Sequence, residues 1–140
     1  MKVEFKASAA TAAAIYNAIA KIAGTDAYTR QTIEEGRATH HTAGGCEYNI
    51  ELESLVLTFF GSRTSLRNGS RIGAVFRADD GVWSFTDRTN AGWAEYPLEL
   101  VGVESSLPPE CPFAHDPWAS DAAIAAWVWD RDEAAFAALA

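Results

Sequence analysis

Cysteine is scarce in this chain: Cys46 and Cys111 are the only two among 140 residues. Two cysteines cannot make a disulfide framework, and in a reducing compartment both stay as thiols. Long apolar runs are missing too. Asn17, Lys21, Glu51 and Glu53 interrupt them, so nothing approaches the roughly 20 residues a helix needs to cross a bilayer, and no membrane partner is expected. There is no G-x-x-x-x-G-K-[ST] phosphate loop, no G-x-S-x-G, no H-E-x-x-H and no calcium loop, and no internal repeat or low-complexity tract. Basic residues are also short, with 11 Lys and Arg against 19 Asp and Glu and a formal net charge of −8. Such a surface repels phosphate backbones, so direct nucleic-acid binding is not expected outside a local patch.

What is present describes an ordinary folded domain. Hydrophobic residues make up 49% and charged residues 21%, and 140 residues suffice for one domain, 1–140, whose core needs neither disulfide nor metal. The opening MKVEFKASAATAAAIYNAIA has the outline of a secretion signal, but Thr11, Tyr16 and Asn17 interrupt its apolar stretch and Glu4 precedes it. A cytoplasmic location is the expectation.

Lys2-Val3-Glu4-Phe5-Lys6 alternates at period two and predicts a strand with Val3 and Phe5 inward. Ser8 then caps a helix over Ala9 to Ala23, with Ile15, Ile19 and Ile22 on one face and Gly24 as its stop. A weaker helix is expected over Ala27 to Arg37, capped by Thr25 or Asp26, and a strand from Cys46 to about Glu53. Asn68-Gly69 carries a type I′ hairpin signal that pairs Leu66 with Arg71. That register gathers Leu55, Leu57, Phe59, Ile72, Ala74 and Phe76 on one face. Asp80-Gly81 gives a second two-residue loop, setting Trp83 opposite Ala78 and Phe85 opposite Phe76. Trp93 to about Val103 is a further strand, which Pro97 marks as an edge or a bulge. Ser120 opens a last helix on which Ile124, Trp127, Val128 and later Phe136 and Leu139 supply an apolar stripe, and Asp130 with Glu133 offers a second cap that would split it. The expected class is α+β: an antiparallel β-meander of four to six strands with the N-terminal and C-terminal helices packed on one face.

All five cysteines and histidines fall in two windows, His40-His41…Cys46 and Cys111…His115. His41, Cys46, Cys111 and His115 make a ligand set that zinc accepts, although H-x4-C and C-x3-H are not the usual knuckle spacings. The competing reading takes ECPFAHDPW, residues 110–118, as a proline-stiffened connector: neither Cys111-Pro112 nor Asp116-Pro117 can continue regular structure, and Trp118 packs on the sheet before the Ser120 cap. No catalytic pair emerges, so an enzyme is not the favoured class. Arg63, Arg67 and Arg71 are the one basic cluster, expected at the tip of the hairpin, where guanidinium groups either grip a partner's carboxylates or keep an exposed edge soluble.

Charge is uneven along the chain. Residues 1–62 carry seven acids and five bases, residues 63–92 three acids and five arginines, and residues 93–140 nine acids and one base, contributing −2, +2 and −8. The acidic third also holds Trp118, Trp127 and Trp129. Residues 127, 128 and 129 are successive helix positions about 100° apart and cannot all face one core. The leading expectation is therefore a small, acidic, non-enzymatic protein-interaction module of the cytoplasm, an inhibitor of the kind a phage or mobile element carries. It would bind a protein partner with a basic surface through Trp118, Trp127, Trp129, Asp130, Asp132 and Glu133, with Arg63, Arg67 and Arg71 as further contacts. No cofactor is expected on that reading. The alternatives are a zinc protein or enzyme built on the two Cys/His windows, and a homo-oligomeric structural subunit, of which a homodimer is the simplest form.

Overall fold

The alternation of residues 2–6 sets the centre of the molecule. In the computed structural model, which describes residues 1–22, 33–42 and 45–139, strand β1 (Lys2–Ala7) lies between β4 (Val56–Phe60) and β7 (Glu95–Glu104) with Val3 and Phe5 fully buried. Around it are β2 (Arg37–His41), β3 (Glu47–Glu51), β5 (Gly73–Arg77) and β6 (Trp83–Asp87). These form one antiparallel, curled sheet of seven strands in the order β2-β3-β4-β1-β7-β6-β5, more strands than the sequence led us to expect. Pairing registers align apolar rows across its inner face: Tyr48, Phe59 and Val3 in one, Ile50, Leu57 and Phe5 in the next. Helix α1 (Ala9–Ile22) crosses this face against β1, β2, β3, β6 and β7, burying Thr11, Ala12, Ile15, Ala18 and Ile19. Ser8 caps it as expected, its Oγ accepting the Thr11 N–H at 3.1 Å.

The hairpin predicted at Asn68-Gly69 does not form. Residues Arg63–Asn68 are a short helix, α2, started by a capping box in which Ser62 and Ser65 bond each other's backbone N–H. Gly69, at φ 70°, ends it, so the Asn-Gly pair acts as a helix stop rather than a strand reversal. As a result β4 and β5 are separated by three intervening strands, β1, β7 and β6. The second reversal exists, but one residue longer than predicted. The Gly81 N–H bonds the Ala78 carbonyl, Ala78 N–H bonds Val82, and Gly81 takes φ 86°, which is a three-residue loop over Asp79-Asp80-Gly81. That extra residue pairs Trp83 with Arg77 and Phe85 with Val75. A shift of one flips a strand, so Val75 rather than Phe76 enters the core and Phe76 is 49% exposed.

Pro97 lies in an interior strand, not at an edge. β1 ends at Ala7 opposite Leu98, so Pro97 is one step past that ladder, and its carbonyl accepts the Thr11 hydroxyl at 3.1 Å. Its missing N–H thus costs no strand pairing. The bulge expected of it occurs nearby: Glu4 faces Gly102 while Phe5 faces Leu100, leaving Val101 as the extra residue. The strand predicted from Cys46 turns back at residues 52–55 to make the β3–β4 hairpin. The helix predicted over Ala27 to Arg37, like the end of the first helix at Ala23 and Gly24, falls largely outside the described residues. Within them, Ile33 and Glu34 are helical and Arg37 already begins β2.

The final helix, α3 (Asp121–Leu139), differs most from expectation. It is one continuous helix of 19 residues, unbroken at Asp130, and none of its residues is buried. Of the two terminal helices, only the N-terminal one packs across the sheet.

The observed register makes a sharp distinction between neighbours. Val75→Asp places a carboxylate in the apolar core and should abolish cooperative unfolding, at a cost of several kcal/mol. Phe76→Asp should leave the far-UV circular dichroism unchanged and lower stability by about 1 kcal/mol through its lost ring contact.

Candidate functional site

Residues 105–120 join β7 to α3, and proline explains why they adopt tight turns instead of regular structure. Cys111 N–H bonds Pro108, Ala114 bonds Cys111 and Asp116 bonds Phe113, all at 3.0–3.2 Å. Cys111, Ala114, Pro117 and Ala119 are buried. Arginines hold this segment to the body. Arg63 donates to the Phe113 carbonyl at 3.0 Å and to the Asp116 carbonyl at 3.3 Å. Arg67, one turn along α2, donates to the carbonyls of Trp118 and Ala119. Arg77 reaches the Asp116 carboxylate at 3.3 Å, and that carboxylate also accepts the Trp118 N–H at 2.9 Å. The Trp118 ring meets Trp83 edge-on at 5.5 Å and Phe76 at 5.9 Å, with the Arg67 guanidinium 6.0 Å from its centre. Trp118 is therefore an internal anchor. Arg63 and Arg67 grip the chain's own backbone, while Arg71, expected beside them at a hairpin tip, lies exposed beyond α2.

The connector sets α3 on its course. Ser120 caps it, its Oγ accepting the Ala123 N–H at 3.1 Å, and Thr64 of α2 donates to the Asp121 carboxylate at 3.1 Å. Asp121 also complements the positive end of the helix. From Val128 onward every residue of the helix is exposed. Trp127 is half-buried beneath the Arg131 guanidinium, 5.5 Å from its ring centre, and Arg131 lies 3.8 Å from Glu110. Trp129 is 70% exposed, Phe136 77% and Leu139 87%, and Asp130, Asp132 and Glu133 are exposed. Phe136 and Leu139, which the sequence places on an apolar stripe with Ile124, Trp127 and Val128, are thus exposed rather than packed. Their signal as contacts was the heptad spacing of Ala122, Ala125, Trp129, Asp132, Phe136 and Leu139, which alternate by three and four and share one stripe.

The two Cys/His windows do not converge. Cys46 is buried with its Sγ 3.1 Å from the Thr42 hydroxyl, Cys111 is buried in the connector, and His41 and His115 are exposed. Among the described residues no three His, Cys, Asp or Glu side chains are grouped to hold a metal ion. His40 and Tyr48 instead pair across β2 and β3 on the inner face, and both are buried, with His40 Nε2 and the Tyr48 hydroxyl finding no hydrogen-bond partner among the described residues. Burial, aided by His41 and Arg71, pushes the His40 pKa below its ordinary 6.5, and burial raises that of Tyr48.

One further surface feature was absent from the sequence reading. At the open edge of β5, Arg67, Phe76, Arg88, Trp93 and Glu95 help line a cleft of about 270 Å³. Trp93 is 64% exposed and holds φ 48°, a backbone conformation unusual for a bulky residue.

No protein-family model matches this chain, and no curated protein or solved structure shows significant similarity to it.

Two measurements check these assignments. Arg67→Ala removes charge-assisted bonds to two carbonyls and should cost about 1.5–3 kcal/mol and make residues 105–120 protease-sensitive. Arg67→Lys should not restore protection, because an ammonium lacks the planar fork. For His40, the unfolded chain titrates at the ordinary 6.5 and the folded one lower, so the unfolded state binds more protons as pH falls. The urea midpoint should hold above that pH and decline below it, and His40→Phe should flatten the decline.

Proposed function

We propose that this chain is a non-enzymatic protein-interaction module that docks α3 on a basic, apolar-lined surface of another protein. The observation that carries this reading is a helix of 19 residues with none buried, which nevertheless bears two large aromatic side chains, Trp129 and Phe136, on one stripe. Helices in folded proteins owe most of their stability to packing an apolar face, and among the described residues none covers this one.

Its charge narrows the partner. Asp121, Asp130, Asp132 and Glu133 outnumber Arg131, which Trp127 and Glu110 already engage. Asp132 falls within the apolar stripe. A carboxylate carried into a closed interface is strongly unfavourable without a cation opposite it, so the matching groove supplies an arginine or lysine at that position. A protein whose nucleic-acid groove is basic fits this description, and an acidic helix seated there inhibits by occupying the groove.

The test is quantitative co-purification from the native host. Trp129→Ala with Phe136→Ala, and separately Asp132→Lys, should each reduce recovery of a basic partner by about tenfold or more. Asp79→Lys with Asp80→Lys, in an exposed turn, should leave recovery unchanged. Undiminished recovery by a chain ending at Ser120 would overturn the proposal.

A further inference from the structure

The same molecule carries a surface that complements its own bare helix. Arg63, Arg67, Arg71 and Arg88 have no carboxylate within ion-pairing distance among the described residues; Arg63, Arg67 and Arg88 bond backbone carbonyls, which leaves their charge uncompensated. Two of them, Arg67 and Arg88, line the β5-edge cleft with the exposed rings of Phe76 and Trp93, and Glu95 is the one carboxylate among its lining residues. Residues 63–92, which supply most of this edge, carry +2, whereas residues 93–140 carry −8.

We infer that α3 of one copy docks in the β5-edge cleft of a second copy, giving a reciprocal dimer. This rests on the reading of α3 as a docking helix and names its first partner. Rings meet rings: Trp129 and Phe136 against Phe76 and Trp93. Carboxylates meet guanidinium groups: Asp130, Asp132 and Glu133 against Arg67 and Arg88. The geometry favours exchange. Arg67 both lines the cleft and bonds the Ala119 carbonyl, so α3 departs from beside the cleft it would fill in the other copy. A twofold axis passing near that departure point allows both helices to cross at once, and each contact is then made twice. Within one copy no residue of the helix is buried, and among the described residues no strand or helix packs extensively along it. Trp129 stands about 13 Å along the helix from Ser120, within reach of a neighbour but clear of its own connector. Self-association and capture of another protein then compete for one helix.

The test is sedimentation equilibrium across a wide concentration range at low and high salt. A dimer that weakens as salt rises is expected. A helix variant, Trp129→Ala with Phe136→Ala, and a cleft variant, Phe76→Ser with Trp93→Asn, should each weaken self-association by about tenfold or more. Asn accepts the positive φ at 93, and Trp93→Asn by itself serves if the pair perturbs the circular dichroism. Mixed together, the two variants should associate more tightly than either does with itself, because the intact helix of one meets the intact cleft of the other. A chain monomeric at every concentration, a dimer indifferent to the cleft variant, or a mixture no tighter than its components would each overturn the inference. If the chain is monomeric yet still loses its host partner when α3 is removed, self-docking fails and the interaction reading stands. If α3 can be removed without losing either partner, both fail.

Discussion

Guanidinium-to-carbonyl bonding decides the shape of this molecule. The segment from Pro108 to Ala119 is too rich in proline to satisfy its backbone within a helix or a ladder, so several of its carbonyls need donors from elsewhere. Arg63 and Arg67 supply them, one turn apart on a six-residue helix whose own start depends on two serines. Arg77 fixes the Asp116 carboxylate that in turn receives the Trp118 N–H. With Trp118 seated between Trp83 and Phe76, the departure point of α3 is set. Each arginine presents a rigid fork to fixed acceptors, a geometry a lysine does not reproduce.

Buried core and exposed apolar surface are divided between two parts of the chain. The inner face of the sheet, with α1 across it, contains the large fully buried side chains, including Tyr48, Phe5, Phe59 and Phe85. α3 contributes no buried residue, and its persistence is local in origin: a Ser120 cap, an acid in the first turn, and alanines of high helical propensity. A helix stabilised this way is free to spend its aromatic rings on an interface. On the proposed reading, its carboxylates make the choice of interface selective.

Much of the frame was legible in the chain, and its failures have physical causes. Alternation over residues 2–6 and the Ser8 cap were readable because each signal is local and unopposed. Asn68-Gly69 misled because the same dipeptide closes a helix as readily as it turns a hairpin, and only the Ser62…Ser65 pair separates the two outcomes. At Asp80-Gly81 the turn was found and its length missed, and one residue sufficed to exchange Val75 with Phe76. In ECPFAHDPW the prolines correctly announced a connector. That Arg63 and Arg67 would be turned toward it, some 50 residues later in the chain, depends on a tertiary meeting no local pattern encodes. The β5-edge cleft was invisible for the same reason, since it joins Arg67, Phe76, Arg88 and Trp93 from separate segments.

Hydrogen–deuterium exchange on the intact protein, diluted until it sediments as a single copy, measures the division between clamp and helix directly. The amides of Cys111, Ala114, Asp116 and Trp118 should be protected to nearly the degree of β1, while the second half of α3 exchanges quickly for want of packing. An α3 as protected as β1, beside a connector that exchanges freely, would mean that the helix is part of the core and that the arginines hold nothing.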